Sequence, residues 1–133
     1  MAVHIEDLIP DFEVKKLDYD EDTWVRIAFM GTDEMETALS EKMRTKSFRG
    51  TASLEGEALT IATCEYIAEN VLLAMGGFMR DGKVMEDTYE NRYWLLKNVK
   101  PVRDWVWRQA SSVENFKNKA EDIKNLKSGE SVN

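Results

Sequence analysis

The segment from Ser53 to Met75 constrains the fold more than any other part of the chain. Its apolar residues occupy one wide face at helical spacing, and further apolar residues lie on its other sides. Only a narrow strip, which includes Glu65 and Glu69, is charged. A helix that is apolar on so many sides is usually central and packed against several neighbours. The sequence therefore predicts a buried helix that Ser53 caps and that Gly76-Gly77 terminates.

The N-terminal part of the chain predicts an antiparallel hairpin over about residues 11–30. Apolar and polar residues alternate from Phe12 to Leu17, the acidic run 18–22 suits a turn, and residues 24–29 suit a returning strand. An isolated hairpin is only marginally stable in water, so it needs a helical layer to cover its apolar face. We expect that face to include Phe12 and Val14.

Four further helix starts share one signature, a capping residue or a proline ahead of an apolar stripe. They lie at Thr32, at Thr88 or Asp87, at Pro101, and at Ser111, where Glu114 completes a capping box. The helix that begins at Thr32 is expected to end near Lys46, and the one after Thr88 near Asn98. The last helix is expected to continue through Leu126.

Together these elements predict a mainly α fold of the α+β class, in which a helical domain carries a short N-terminal β-hairpin. No internal repeat or long linker divides the chain. Residues 1–127 are therefore expected to form a single globular domain, with helices over about 32–127. Residues 128–133 lack apolar anchors and are expected to be a disordered tail.

The charge balance disfavours two classes of partner. The 133-residue chain carries a formal net charge of −7, which argues against both nucleic acid and an anionic membrane surface. The longest apolar stretch, near residues 66–79, contains Glu69 and Asn70, so no membrane-spanning segment is expected. The single cysteine cannot form an internal disulfide, and a reducing cytoplasm is the compartment that fits it best.

Residues able to carry out chemistry are few. His4 is the only histidine, and it lies near the terminus without an oriented partner. Cys64 lies on the apolar face of the predicted central helix, where cysteine packs as a small hydrophobe. The alternate aspartates of the run 18–22 have the spacing of a calcium loop, but its sixth position is Thr23 and not glycine. We therefore expect a protein that is not an enzyme and that binds no cofactor or metal.

An aromatic cluster in the C-terminal half predicts a protein-binding surface. Its members are Tyr89, Tyr93, Trp94, Trp105, Trp107 and Phe116. Most of them suit a core, but Trp105 and Trp107 point about 200° apart on one helix. Since Trp105 shares an apolar stripe with its valine neighbours, Trp107 is left for a partner or subunit contact, or for partial packing against the last helix. We predict Tyr93, Trp94 and Trp107 as partner-binding residues.

Residues of about 54–120 contain a series of short motifs whose order and spacing carry a family resemblance. The motifs are Gly82-Lys83, Thr88-Tyr89-Glu90-Asn91-Arg92, Leu95-Leu96, Pro101-Val102-Arg103-Asp104-Trp105-Val106 and Asn115-Phe116. Placed after a broadly apolar helix, this series resembles the tail assembly chaperones of long-tailed, lambda-type bacteriophages. No single motif among them is specific.

The resemblance implies a non-enzymatic role in which the protein self-associates, coats the tape measure protein and recruits subunits of the major tail tube protein. It also implies a longer form made by ribosomal frameshifting, action in the host bacterial cytoplasm, and absence from the mature virion. A long tape measure helix exposes apolar surface before the tube encloses it, and that surface needs a reversible cover. The alternative is a structural connector or minor tail component that stays in the virion.

Overall fold

The computed structural model describes residues 2–46 and 56–118, and these fold in the predicted α+β class. The strands are β1 (Val14–Asp20), β2 (Thr23–Ala28), β3 (Leu72–Gly76), β4 (Met79–Arg80) and β5 (Lys83–Val84). The helices are α1 (Asp33–Lys46), α2 (Gly56–Tyr66), α3 (Tyr89–Asn98) and α4 (Lys100–Ala110). Short 3₁₀ turns cover Ile5–Leu8 and Val113–Phe116, and a π-helical turn covers Ile67–Val71. One antiparallel sheet has the order β1-β2-β3, and β4 and β5 form a separate small hairpin.

The predicted N-terminal hairpin is confirmed, with a longer first strand than the pattern indicated. β1 continues into the acidic run as far as Asp20, so the turn narrows to Glu21 and Asp22. The amide of Asp22 donates a hydrogen bond to the carboxylate of Asp20 at 3.0 Å, which closes that turn locally. Val25 and Ile27 of β2 are fully buried and form the inner face of the sheet.

Only one of the two residues expected on the inner face of the hairpin lies there. Phe12 is half-buried and meets the ring of Phe116 edge-on, with centroids 6.3 Å apart. Val14 is 45% exposed, so its predicted position is wrong. Side chains alternate along a strand, and Leu17 lies opposite the buried Val25. Val14, three residues before Leu17, therefore points to the other face.

The prediction of one continuous helix through Met75 is wrong. Helix α2 ends at Tyr66, the π-helical turn follows, and β3 then pairs antiparallel with β2, with Met75 opposite Val25. A short apolar run suits a buried helix and a buried strand equally well, and here the open edge of β2 satisfies the main-chain groups of β3. Gly76-Gly77 consequently ends a strand and not a helix. Ser53 lies outside the described residues.

Two predicted helix caps are confirmed by geometry. The Thr32 hydroxyl accepts a hydrogen bond from the amide of Met35 at 3.2 Å, and the Thr88 hydroxyl accepts one from the amide of Asn91 at 3.1 Å. Each bond satisfies one of the amides that a helix start leaves without an internal partner. Pro101 occupies the first turn of α4, as expected from its fixed φ and missing N–H.

The predicted capping box at Ser111 is wrong. Its hydroxyl donates instead to the carbonyl of Trp107 at 2.8 Å, so the side chain completes the end of α4. A 3₁₀ turn ending at Phe116 follows in place of a new α-helix start. The remainder of the predicted last helix and the predicted tail at 128–133 lie outside the described residues.

One contiguous core joins the three-stranded sheet to the helices. Its largest fully buried side chains include Tyr66, Phe116, Ile27, Ile67, Leu72 and Leu96. The Tyr66 hydroxyl donates to the carbonyl of Met35 at 3.1 Å, which links α2 to α1 and satisfies a polar group next to the core. Helix α4 covers the core with a stripe of Val102, Val106 and Ala110.

Candidate partner-binding groove

A groove of about 430 Å³ lies between the turn end of the β1–β2 hairpin, the β4–β5 hairpin and the junction of α3 with α4. Its walls include Tyr19, Phe78, Arg80, Met85, Trp94 and Val99. We call this feature the aromatic groove. A second depression of similar volume runs along α1, but its lining residues are charged or polar side chains of that one helix. The aromatic groove is therefore the stronger candidate for binding apolar side chains.

Local backbone chemistry builds one wall of the groove. Asp81 and Gly82 both have positive φ, at 53° and 80°, as a tight two-residue hairpin turn requires. The amide of Met85 donates to the carbonyl of Phe78 at 2.8 Å, which closes the hairpin at its base. The hydroxyl of Thr23 donates to the carbonyl of Gly77 at 3.2 Å, so the hairpin base is joined to β2.

Aromatic contacts define the interior of the groove. The Tyr19 ring meets Trp105 edge-on at 5.0 Å and lies 5.9 Å from the ring of Phe78. The guanidinium of Arg80 stands over the Trp94 ring, 3.6 Å from its centroid. This cation–π contact joins the side chain of Arg80 on β4 to that of Trp94 on α3. The groove therefore presents positioned aromatic surface with one cation at its rim.

Exposed apolar side chains continue the groove onto the β4–β5 hairpin. Met79 is 61% exposed and Val84 is 60% exposed, and the two residues are direct partners in the β4–β5 pairing. Single exposed apolar side chains are common on protein surfaces, but adjacent ones beside an aromatic groove are typical of an interaction site. Methionine also adapts its shape to different partners.

The three predicted partner-binding residues do not share one surface. Trp94 lines the aromatic groove. Tyr93 points in a different direction from Trp94, because consecutive residues of a helix are about 100° apart. Its ring stacks on the ring of Tyr89, with centroids 6.3 Å apart. Trp107 is half-buried and meets Tyr66 edge-on at 6.4 Å, away from the residues that line the groove. Partner contacts by Tyr93 and Trp107 stay predictions.

The two tryptophans of α4 flank its buried stripe from either side. Both side chains are half-buried, so the pair does not divide into one core residue and one outward-facing residue. Trp105 reaches the groove through Tyr19, whereas Trp107 reaches α2 through Tyr66. The sequence reasoning recognised their divergence but did not identify these neighbours, which lie far away along the chain.

Sequence reasoning also missed Tyr19, Phe78 and Arg80 as groove residues. The Asp81-Gly82 pair is a strong hairpin signal, and it could have indicated that its flanking residues face one another. The contact between Arg80 and Trp94 joins a hairpin to a helix, and no local pattern predicts it.

Residues 2–46 and 56–118 contain no group of three or more histidine, cysteine or acidic side chains placed to hold a metal ion. No helix there is both long enough and apolar enough to cross a membrane. Cys64 is fully buried, and burial raises the pKa of its thiol against a smaller opposing effect of Arg103.

We expect the Cys64 thiol to be unreactive in the native protein. Thiol reagents attack the thiolate, and both the raised pKa and the complete burial reduce access to that form. Labelling with a chromogenic disulfide reagent at neutral pH should therefore be slow in buffer and rapid in denaturant. Rapid stoichiometric labelling of the folded protein would contradict the buried position.

Comparisons of the chain with protein-family models, with curated proteins and with solved structures found no match. The lining of the aromatic groove suits apolar side chains.

Proposed function

We propose that this protein is a non-enzymatic phage tail assembly chaperone that coats the tape measure protein and helps to recruit tail tube subunits. The observation that carries the proposal is the aromatic groove, which Trp94 lines together with the exposed Met79. Apolar surface of this kind, rimmed by polar residues, suits another protein better than a small polar substrate. The motif series over about 54–120 supports the choice of partner.

The dimensions of the groove suit a few side chains from one face of a helix. An amphipathic helix offers apolar residues at positions i, i+3, i+4 and i+7, and grooves that bind such helices are lined by aromatic residues and methionine. A groove of about 430 Å³ accepts only part of such a face. Each contact is therefore modest, and many copies along a long helix would supply coverage that can be reversed when the tube forms.

The remaining parts of the proposal follow from the same role. Recruitment of the major tail tube protein would require a second contact, and a longer frameshifted form would bring tube subunits to the coated tape measure at high effective concentration. The chaperone would act in the host cytoplasm and leave before the virion is complete. The net charge of −7 supports a protein partner over nucleic acid.

Trp94→Ala should weaken binding to the tape measure protein by about tenfold to thirtyfold, as expected when a central aromatic contact is lost. Binding would be measured by titrating the purified full chain against tape measure fragments. Leu59→Ala is the control, because Leu59 is a 41% exposed apolar residue on α2 that does not line the groove.

Circular dichroism would establish that both variants are folded. Unchanged affinity in folded Trp94→Ala would overturn the groove as the binding site. Tyr93→Ala and Trp107→Ala, measured in the same way, would test the two other residues that the sequence predicts. Mass spectrometry of purified virions separates the two roles, since a chaperone should be missing from particles and a connector present.

A further inference from the structure

Strand β1 lies at one edge of the three-stranded sheet. The sheet order is β1-β2-β3, and within residues 2–46 and 56–118 no strand pairs with the outer side of β1. The amide of Phe29 donates to the carbonyl of Glu13 at 2.8 Å, which places Glu13 in a hydrogen-bonded pair. Main-chain groups alternate in direction along an antiparallel strand. The N–H and C=O groups of Val14, Lys16 and Asp18 therefore point outward from the edge.

The charges along this edge change sign at its centre. Lys15 and Lys16 precede Leu17, and Asp18 and Asp20 follow it. An antiparallel copy of the strand reads in the opposite direction, so its acidic half lies beside the basic half of the first. The edge is therefore complementary in charge to a second copy of itself.

We propose that two copies of this chain dimerise by antiparallel pairing of their β1 edges, with Leu17 opposite Leu17 and Lys16 opposite Asp18 of the second copy. Lys16 and Asp18 both direct their main-chain groups outward, so each such pair exchanges two hydrogen bonds across the interface. Opposite charges directly across a ladder add to its stability. The result is one continuous sheet through two protomers, related by a two-fold axis.

The charges also select this register over its neighbours. Moving the two-fold axis by one residue places Lys16 opposite Lys16, or Asp18 opposite Asp18, and like charges directly opposite are destabilising. The second of these registers would also set Lys16 opposite Asp20, but the bulge between Asp18 and Asp20 interrupts the edge there. A two-fold axis between two residues would place a residue whose main-chain groups point toward the second copy opposite one whose groups point toward β2. Such residues cannot form a hydrogen-bonded ladder. Pairing about Leu17 avoids both penalties.

Charged residues on an edge strand usually prevent other strands from pairing with it. Here the charges disfavour a strand with an unmatched charge pattern, whereas a second copy of β1 is complementary in charge. The ammonium group of Lys16 lies over the Trp24 ring of β2, 4.7 Å from its centroid, and has to turn from there toward Asp18 of the second copy. A bulge between Asp18 and Asp20 interrupts the regular edge, so the ladder between the two copies ends near Asp18. Tyr19 and Asp20 of the same strand line the aromatic groove, so the proposed interface adjoins the groove.

The test is a charge exchange measured by sedimentation velocity on the full chain. Wild-type protein should show a concentration-dependent monomer–dimer equilibrium. K16D and D18K, each alone, should dimerise roughly tenfold or more weakly, because both replace attraction with repulsion in two symmetry-related pairs. An equimolar mixture should recover dimers, since each variant then faces its complement.

K83D is the matched control, because it makes the same change on an exposed strand residue of the other hairpin. Recovery in the mixture of folded variants, with K83D like wild type, supports the proposal. A wild-type protein that stays monomeric, a mixture that fails to recover, or an equal effect of K83D would overturn it.

Amide hydrogen exchange on the wild-type protein provides a readout that needs no variant to fold. As concentration rises, the amides of Lys16 and Asp18 should gain protection, because they point toward the second copy. The amide of Leu17 already faces β2 and should change little. Unchanged protection at Lys16 and Asp18 across a range where dimers form would place the dimer contact elsewhere, for example at Trp107, and would refute the edge pairing.

Discussion

Gly77→Ala is expected to lower the free energy of unfolding by about 3–5 kcal/mol, at the large end of single substitutions. Gly77 has φ of +84°, a conformation that costs an alanine about 1–2 kcal/mol. A Cβ at this position would also overlap the carbonyl oxygen of Asp22 and lie 2.9 Å from the Cα of Thr23. Both contacts are with main chain of the β1–β2 turn, so relief requires β3 to move away from the hairpin.

Gly82→Ala separates the two contributions to this cost. Gly82 has a similar φ of +80°, but apart from its chain neighbours no described atom lies within 4 Å of the position that its Cβ would take. We therefore expect a loss of only about 1–2 kcal/mol, from backbone strain alone. Urea unfolding monitored by tryptophan fluorescence would measure both variants. Equal losses would show that Gly77 does not pack against the hairpin turn.

Phe116→Ala is expected to cost about 3–5 kcal/mol, the range for removing a large aromatic residue from a core. Phe116 is fully buried, and its ring lies 5.1 Å from Phe29 and 6.3 Å from Phe12. Its carbonyl also accepts hydrogen bonds from the amides of Asp11 and Phe12, at 2.8 and 3.2 Å. A cavity here would loosen the packing of the C-terminal turn against both the sheet and the N-terminal segment.

Equilibrium unfolding in urea would measure this loss, with Phe116→Leu and Phe78→Ala as comparisons. Leucine keeps much of the volume, so Phe116→Leu should retain a good part of the stability. Phe78 is half-buried in the wall of the aromatic groove, and its truncation should cost clearly less. A loss below about 1 kcal/mol for Phe116→Ala would contradict its place in the core.

Features that depend on local chemistry were predictable from the amino-acid sequence. The caps at Thr32 and Thr88 and the proline at the start of α4 depend on residues within one helical turn. The β1–β2 hairpin follows from alternating residues on either side of a short acidic turn. In the candidate site, Trp94 was predicted from its residue type and its place in an aromatic cluster.

The tertiary structure alone decided the rest, because it depends on residues that are distant along the chain. Leu72–Gly76 is apolar enough for either a helix or a strand, and the available edge of β2 makes it a strand. The groove exists because Arg80 reaches Trp94 and because Tyr19 reaches Trp105. The outer edge of β1 carries a charge pattern visible in the sequence, but only the sheet order leaves its main-chain groups open to a second copy.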